Sequence, residues 1–590
     1  MIDIILVCAK YFIIILFAYF TYLSFRAQRD VPDERKRLTY TLQMIMMLLI
    51  HAVAFLVIGI HVGTDADIKL KMGQVIGLYA GQLVYLIAMS LVIPKFVSLS
   101  RGLNNVMCMF LTIGFIIQTR LDFDTSLRQF IIVIVGTGVF LVCVFLCKRA
   151  KFMRNLTWVY GAAGMALLAM VLVLSRVVSG AKLALNLGFF SFQPAEFVKI
   201  LFVLFVASAF FRSKTMKTVF LTAACAAIHV LILVFCHDLG SALILFVIYV
   251  LMLYVATKRV IVLGAGAVCF VIAAFVAYRI FPHVAGRITA WIDPWSDIDK
   301  GGYQLAQGLF AVGTGGWFGS GLYGGMPESV PMVSNDMIFS AIAEELGGIF
   351  AILLILLCLC FVLMVFRVAI RVNNPFYKLL SFGLGAAYGF QVFLTIGGTT
   401  KFIPLTGVNL PFISSGGSSL LASMIMIGMI QALYVISEAD VERERELVAA
   451  GVPLRDEKEP GEAECVKRRK KKRGGEESPP ARERILEVRP EDGFAEETEY
   501  PIVPEEEVYQ VELRQDAFDD PEDTWETDLS EEERMRAERI KNMSQTKRIR
   551  EVRPEPEGRS QKSRIREVKP EEDRPSRKKK KIRQIEDDEF

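Results

Sequence analysis

The chain has 590 residues and a formal net charge of +4, and 53% of its residues are hydrophobic. Almost all of the hydrophobic residues precede residue 437, after which Glu, Asp, Lys, Arg and Pro dominate. This division excludes a single water-soluble globular domain. It predicts a membrane-embedded part followed by a polar tail.

The first part contains apolar runs long enough to cross a bilayer. A helix needs about 20 apolar residues to cross about 30 Å of hydrocarbon. Thirteen runs approach this length, so we predict an all-α, polytopic membrane protein. The runs cover residues 4–25, 42–61, 75–93, 104–118, 130–147, 156–178, 197–211, 218–236, 241–256, 260–281, 338–366, 379–397 and 415–436.

The orientation follows from the basic residues, which concentrate in short cytoplasmic loops. Alternate loops are rich in Lys and Arg. This alternation predicts that the amino terminus and the long polar segment 281–337 lie outside, and that the tail is cytoplasmic. The first run has Asp3 before it and a basic flank after it, which is typical of an anchor and not of a cleaved signal peptide.

The tail, residues 438–590, has few aromatic residues, and its composition predicts disorder. A phrase recurs at Arg484 to Glu491, Arg548 to Glu555 and Arg564 to Glu571, which suggests a docking motif for a cytoplasmic protein. Basic runs at 467–473 and 577–581 favour anionic lipid over nucleic acid, because the tail is tethered to a membrane. The alternative is a solvated charge run that keeps the tail soluble.

No transition-metal site is indicated by the cysteines and histidines. Nine of the ten cysteines lie inside apolar runs, without CxxC spacing, and the five histidines show no ligand spacing. The cysteines are therefore interpreted as core residues.

Charged residues at the start of the seventh apolar run have two interpretations. Pro194 suits a first helical position, and Glu196 and Lys199 are spaced to pair on one helix face. They are either a helix-start pair or part of a site. We favour the site, because an ionisable residue inside an apolar span usually faces a bundle interior or a wet cavity.

Further carboxylates lie at the other outer segments. Asp238 is either a turn and helix cap or a catalytic group. Asp336 is likewise either a cap of the next helix or a general base whose pKa burial would raise, against the opposite effect of the helix dipole. Glu344 and Glu345 would point about 100° apart on a helix, so one of them is expected to face the core.

The last outer segment, residues 397–419, is half apolar and contains two prolines. Irregular backbone at membrane depth is tolerated only where it is buried in protein or lines a cavity. Its small residues from Gly416 to Ser419 would permit close helix packing.

Together these segments resemble the SEDS family (shape, elongation, division and sporulation), the RodA/FtsW-type peptidoglycan glycosyltransferases. The resemblance covers about residues 104–437. The matching segments are Gln193 to Lys199, Asp238 to Gly240, Asp293-Pro294, Tyr303-Gln304, Gly313 to Gly316, Asp336 with Phe339 and Glu344 to Gly347, and Pro404 to Gly407 with Leu410 to Phe412 and Ser415 to Ser419.

The resemblance implies a ten-helix core at residues 104–437. Residues 1–103 then form an N-terminal extension with three further transmembrane helices, and residues 438–590 form the tail. It also implies polymerisation of lipid II on the outer face of a bacterial cytoplasmic membrane, in elongation, division or sporulation. A class B penicillin-binding protein transpeptidase is the implied partner, and no nucleic acid is expected.

The resemblance also implies site residues. Asp336 corresponds to the family's essential aspartate, and Glu196 and Lys199 correspond to its paired cavity residues. We add four substrate-binding candidates. Arg287 comes from the polar segment 281–337, and Gln304, Glu345 and Ser418 come from the matching segments. The chain departs from the family pattern by Ser334-Asn335 in place of His-Thr, His237 in place of Pro, and Ser241 in place of Thr, and we expect activity to survive these changes.

The chemistry requires a base for the acceptor hydroxyl and a positive charge for the leaving pyrophosphate. Asp336 would be the base, and Lys199, Arg287 or a divalent ion (Mg or Mn) would supply the charge. One alternative is a flippase or polyprenyl-lipid transporter, since interior charges and broken helices also mark transport paths. Another is a membrane-anchored scaffold that works through its tail.

Overall fold

The computed structural model describes residues 2–29, 32–64, 72–149, 151–175, 185–186, 191–296, 298 and 301–449. Thirteen of the helices in these ranges are long and apolar enough to cross a membrane, which confirms the predicted all-α architecture. Residues 450–590 lie outside the described ranges, and with them the repeated phrase, the basic runs and most of the predicted disorder.

Sixteen α-helices follow one another along these ranges, with a π-helical turn, Ala88–Val92, joining α3 to α4 in one span. The first eight are α1 (Ile2–Arg26), α2 (Asp33–Thr64), α3 (Met72–Ile87), α4 (Ile93–Phe96), α5 (Arg101–Leu121), α6 (Phe123–Arg149), α7 (Thr157–Leu174) and α8 (Pro194–Arg212). The others are α9 (Met216–Phe235), α10 (Leu239–Thr257), α11 (Ile261–Ile280), α12 (Pro282–Ile292), α13 (Tyr303–Gly315), α14 (Ile338–Arg371), α15 (Pro375–Thr399) and α16 (Gly417–Ala449). Two short strands, β1 (Leu185–Asn186) and β2 (Ser191–Phe192), pair antiparallel before α8.

Helix α5 is the central helix of the bundle, because protein surrounds it on all sides. Its polar side chains therefore need protein partners and not water. Asn104 donates to the carbonyl of Met89 at 2.7 Å, and Gln118 donates to the carbonyl of Ser334 at 2.9 Å. The second bond ties the C-terminal end of α5 to the turn that carries Asp336.

The N-terminal helices pack directly on the rest of the bundle, and α1 to α16 belong to one compact unit. Helix α1 lies along α2 and α14, where Phe17 stacks on Phe350 with ring centroids 4.1 Å apart. In the first half of α1, Lys10 donates to the carbonyl of Gly319 at 3.1 Å. The start of α1 therefore lies on the same side of the bundle as residues 281–337.

Helix α14 is broken at Gly347, whose φ of 90° and ψ of 166° lie outside the helical region. Segment 316–321 lies against the break and satisfies backbone groups that the helix leaves free, as a break at membrane depth requires. Four hydrogen bonds make this connection: Ser320 N to Glu344 O, Gly321 N to Glu345 O, Gly348 N to Gly316 O and Ile349 N to Trp317 O, all between 2.8 and 3.1 Å.

Helix α16 corrects the predicted start of the disordered tail. The apolar run ends near residue 436, but the helix continues to Ala449. Glu, Arg, Leu and Ala dominate the added turns, and these residues extend a helix readily once a span has nucleated it. Residues 438–449 are therefore helical.

Candidate active site

Asp336 lies in the turn before α14 and lines a cavity of about 270 Å³. Arg287 from α12 and Gln304 from α13 line the same cavity, together with Gly407 from the segment between α15 and α16. Segment 281–337 is therefore not an open loop. Its two helices carry the side chains that surround Asp336.

The Asp336 carboxyl group is poised to exchange a proton near neutral pH. Burial raises its pKa from about 3.8 to about 6, although the Arg287 charge and the Gln304 amide lower the pKa in part. The amide nitrogen of Gln304 lies 3.5 Å from Asp336 Oδ1. A carboxylate with such a pKa is suited to general-base catalysis.

Capping does not account for Asp336. Met337 is the N-cap residue of α14, and no side-chain hydrogen bond caps this helix within the described part of the chain. Asn335 instead accepts a hydrogen bond from Ser415 at 2.6 Å. Desolvation, and not the helix dipole, therefore dominates the pKa of Asp336.

Arg287 supplies the positive charge beside Asp336. Its guanidinium donates to the Thr406 carbonyl at 3.3 Å. Burial lowers its pKa, and the charges of Asp238 and Asp336 oppose that shift, so the group stays protonated. Gly407, with φ of 74°, is flanked by both side chains: a Cβ there would lie 3.8 Å from Asp336 Oδ2 and 3.9 Å from Arg287 Nη2.

Glu196 and Lys199 form a buried ion pair on α8. Lys199 Nζ lies 2.7 Å from Glu196 Oε2 and 2.5 Å from Gln391 Oε1, and the two charged side chains are at most 5% exposed. Gln391 also donates to the Asn409 carbonyl at 2.9 Å. The predicted pairing is thus present, and Gln391 connects it to the segment between α15 and α16.

Sequence reasoning missed Gln391. It is the single carboxamide in the apolar run 379–397, and an amide inside a span commonly bonds across helices. That signal was present but weak, because it does not specify which helix is bonded.

Asp238 interacts electrostatically with both the Glu196–Lys199 pair and Arg287. It caps α10 by accepting the Ser241 amide at 3.0 Å, which agrees with the predicted cap. Burial raises its pKa, and the charges of Glu196, Lys199 and Arg287 all act on its carboxylate. Its Oδ2 is buried and has no hydrogen-bond partner among the described residues.

Glu345 and Ser418 do not line the Asp336 cavity. Glu345 is 1% exposed, and it accepts hydrogen bonds from Arg120 Nε at 2.7 Å and the Tyr323 amide at 3.1 Å. Ser418 accepts the Gln193 amide at 3.0 Å and so holds the start of α8. We therefore interpret both as positioning residues.

Glu344 is buried as well as Glu345, so the expectation that a single one faces the core is corrected. Glu344 is 4% exposed and accepts the Met326 amide at 2.9 Å. The break in α14 explains why both are buried. Next to the break, the segment that precedes α14 folds over both side chains.

A preformed metal centre is not found in the described ranges, where no three His, Cys, Asp or Glu side chains are grouped to hold an ion. The charges of Asp238 and Asp336 both act on Arg287, which lines the same cavity as Asp336.

The family model FtsW/RodA/SpoVE, described as cell cycle protein, matches residues 76–438, which is more than half of the chain. The chain belongs to this family. The match begins inside α3, and the predicted core boundary at residue 104 stays a prediction.

Two relatives show the same membership. The peptidoglycan glycosyltransferase RodA of Mycobacterium tuberculosis is 36% identical over 322 residues, which cover 51% of this chain and 69% of the relative. The probable peptidoglycan glycosyltransferase FtsW of Aliivibrio salmonicida is 32% identical over 335 residues, covering 54% and 82%.

A solved structure supports the fold. It comes from work on structural coordination of polymerization and crosslinking by a peptidoglycan synthase complex, with 25% identity and a TM-score of 0.50. The likeness covers 57% of this chain and 98% of the solved one. The helices that match are therefore nearly the whole of that protein.

Proposed function

We propose that this chain is a peptidoglycan glycosyltransferase that polymerises lipid II, with Asp336 as the general base. The observation that carries the proposal is a carboxylate of raised pKa beside a buried arginine, in a cavity at one end of the bundle. The activity named for the RodA and FtsW relatives supports the reaction class.

The reaction needs one proton transfer and one displacement. A hydroxyl of the acceptor sugar attacks the anomeric carbon of the donor, and its proton passes to the Asp336 carboxylate. The new carbon–oxygen bond forms as the bond between the anomeric carbon and the pyrophosphate oxygen breaks, and the polyprenyl pyrophosphate leaves with the electron pair. Such a positioned base typically contributes about 10²–10⁴-fold to the rate.

Arg287 is the better candidate for the charge of the leaving pyrophosphate. Lys199 is almost fully buried and already bonds to Glu196 and Gln391. Arg287 lines the cavity and presents a planar fork suited to phosphate oxygens. We therefore propose that Glu196 and Lys199 have a structural role beneath the site, and that Gln304 orients Asp336.

We place the Asp336 cavity on the outer face of the bacterial cytoplasmic membrane, with the amino terminus outside and the tail inside. The contact between Lys10 and Gly319 supports placing the amino terminus and the cavity on the same side of the membrane. The basic loops at the opposite ends of the helices support assigning the cavity side to the outer face.

We also propose a class B penicillin-binding protein transpeptidase as partner. The support is the related solved structure, which belongs to a complex of polymerization and crosslinking. The proposed partner of residues 438–590 is a cytoplasmic protein or anionic lipid, and not nucleic acid, because the tail is charged and tethered to the membrane.

Purified chain with lipid II in detergent, without vesicles, tests the reaction. Glycan polymer should form, and Asp336→Ala should abolish it while expression is unchanged. A flippase would form no polymer in this assay, and a fully active Asp336→Ala would remove the assignment. Chelator in a parallel reaction tests whether a divalent ion accompanies the substrate.

A further inference from the structure

A second and larger cavity lies at the opposite end of the bundle from Asp336. Its volume is about 600 Å³, and its walls are formed by residues 27–29 after α1, the start of α2, the start of α5, the end of α14 and part of α16. Asp336 precedes the first residue of α14, whereas Arg371 in this second cavity is its last residue. The two cavities share no lining residue.

The second cavity is strongly cationic. Among the lining residues that the structure describes, six are basic, and Glu438 is the single acidic one. Glu438 pairs with Arg371 at 3.4 Å, on a surface where both side chains are nearly half exposed. The basic residues are Arg29, Lys36, Arg37, Arg101, Arg367 and Arg371.

This excess of positive charge is assembled from helices that are far apart in sequence. Like charges at helix ends repel one another when no anion lies between them. Three separate parts of the chain nevertheless place their basic side chains around one cavity. A cavity of this size ordinarily holds a small ligand. The arrangement indicates an anionic ligand with more than one accepting oxygen, for which arginine forks are well suited.

The apolar part of the wall distinguishes between sources of that anion. Leu103, Met364 and Val368 line the cavity beneath the basic side chains, and each is at most 8% exposed. Tyr40 and Tyr434 also line it, and tyrosine is enriched at the level of lipid headgroups. A soluble phosphate compound needs no such apolar wall, whereas a phospholipid has an apolar portion to place against it.

We propose that this cavity binds the phosphate headgroup of an anionic phospholipid from the leaflet opposite to Asp336. The bound headgroup bridges residues 27–29 and the start of α2 to the end of α14 and to α16. The N-terminal helices thereby gain a lipid-dependent attachment to the family-matched part of the chain. This site is independent of the assignment of Asp336.

The test uses the full-length chain in detergent with phosphatidylglycerol or phosphatidylcholine added. Lipid retention is measured by native mass spectrometry, and thermal unfolding is measured in parallel. The parent should retain phosphatidylglycerol in preference and show a higher Tm with it. In Arg101→Gln/Arg367→Gln/Arg371→Gln, binding should be at least about tenfold weaker, because each basic residue near an anionic headgroup contributes about fivefold.

A matched control removes the same number of charges from the same side of the bundle. Arg212→Gln/Lys217→Gln/Arg259→Gln changes residues at the ends of α8 to α11, outside the cavity, and should retain phosphatidylglycerol as the parent does. Arg101→Lys/Arg367→Lys/Arg371→Lys should keep most of the preference for phosphatidylglycerol over phosphatidylcholine, because the charges remain. If the triple Gln variant does not fold, the three single Gln variants should show graded losses.

Three results would overturn the proposal. The first is equal phosphatidylglycerol retention by the parent and the cavity variants. The second is displacement of the lipid by inorganic pyrophosphate together with no preference over phosphatidylcholine, which would assign the cavity to a soluble phosphate compound. The third is a Tm loss in the variants that is the same in both lipids, which would assign the charges to an interaction with acidic residues of the protein itself.

Discussion

At the residue scale, the site depends on how burial and charge act together on Asp336. Burial raises its pKa, and Arg287 and Gln304 lower it in part, so the value settles at about 6. A base needs its unprotonated form, which therefore grows from about a tenth at pH 5 to about nine tenths at pH 7. The rate of polymerisation should rise through this interval.

Arg287→Gln tests that balance. Loss of the cation removes an interaction that favours the carboxylate, so the pKa of Asp336 should rise and the ascending limb of the pH–rate profile should move to higher pH. The rate should also fall at every pH, because the leaving pyrophosphate loses its countercharge. Arg287→Lys should shift the limb less.

Arg279→Gln is the control, since Arg279 is an exposed cation in the last turn of α11 and does not line the cavity. It should leave the profile unchanged. An Arg287→Gln variant with the parent's pH dependence would show that the two side chains do not interact.

The Glu196–Lys199 pair predicts a different kind of effect, on stability. Lys199→Met leaves the Glu196 charge buried without its partner, and breaking such a pair costs about 3–5 kcal/mol. Thermal unfolding should show the loss. Glu196→Gln combined with Lys199→Met should recover most of it, because no isolated charge then remains. A double variant as unstable as Lys199→Met would contradict this account.

At the element scale, the break in α14 makes Gly347 irreplaceable. A Cβ at residue 347, where φ is 90°, would lie 2.3 Å from the Gly319 amide nitrogen. Gly347→Ala should therefore cost roughly 1–3 kcal/mol from backbone strain and separate segment 316–321 from the helix. Both thermal stability and polymerisation rate should fall.

The neighbouring glycine provides the comparison. Gly348 has no positive φ, and the nearest atom to a Cβ there is the Gly316 carbonyl oxygen at 3.2 Å. Gly348→Ala should be milder in both measurements. Equal effects of the two substitutions would mean that the break is not held by the conformation of Gly347.

The elements show which features a single sequence can predict. The spans were predictable because an apolar run of bilayer length has few alternatives. The break at Gly347 was not predictable, since the apolar run continues through it. Only tertiary contacts show that segment 316–321 lies against the break. Helices α12 and α13 were missed for a related reason: their glycines, and the proline that begins α12, are typical of loops, and packing overrides this preference.

The site was predicted in part. Asp336, Arg287 and Gln304 meet in one cavity, and Glu196 pairs with Lys199, as their segments suggested. The partner of Lys199 on α15 and the place of Glu345 depend on which helices are neighbours. That information is long-range, and neither spacing nor composition contains it.

At the scale of the whole molecule, the charges that we assign to chemistry lie within one compact unit that ends before most of the tail. Deletion of residues 450–590 should therefore leave lipid II polymerisation in detergent near the parent level. Localisation in the cell should be lost, because the repeated phrase is the proposed docking motif. Loss of polymerisation on deletion would instead favour the scaffold interpretation.

The most direct test of the central claim compares lipid II binding and polymerisation in Asp336→Asn and in Asp124→Asn. Asp124 is an exposed carboxylate in the first turn of α6 and serves as the matched control. Asp336→Asn should bind lipid II like the parent but polymerise it about 10²–10⁴-fold more slowly, while Asp124→Asn keeps both properties. An Asp336→Asn protein that polymerises at the parent rate would contradict the account.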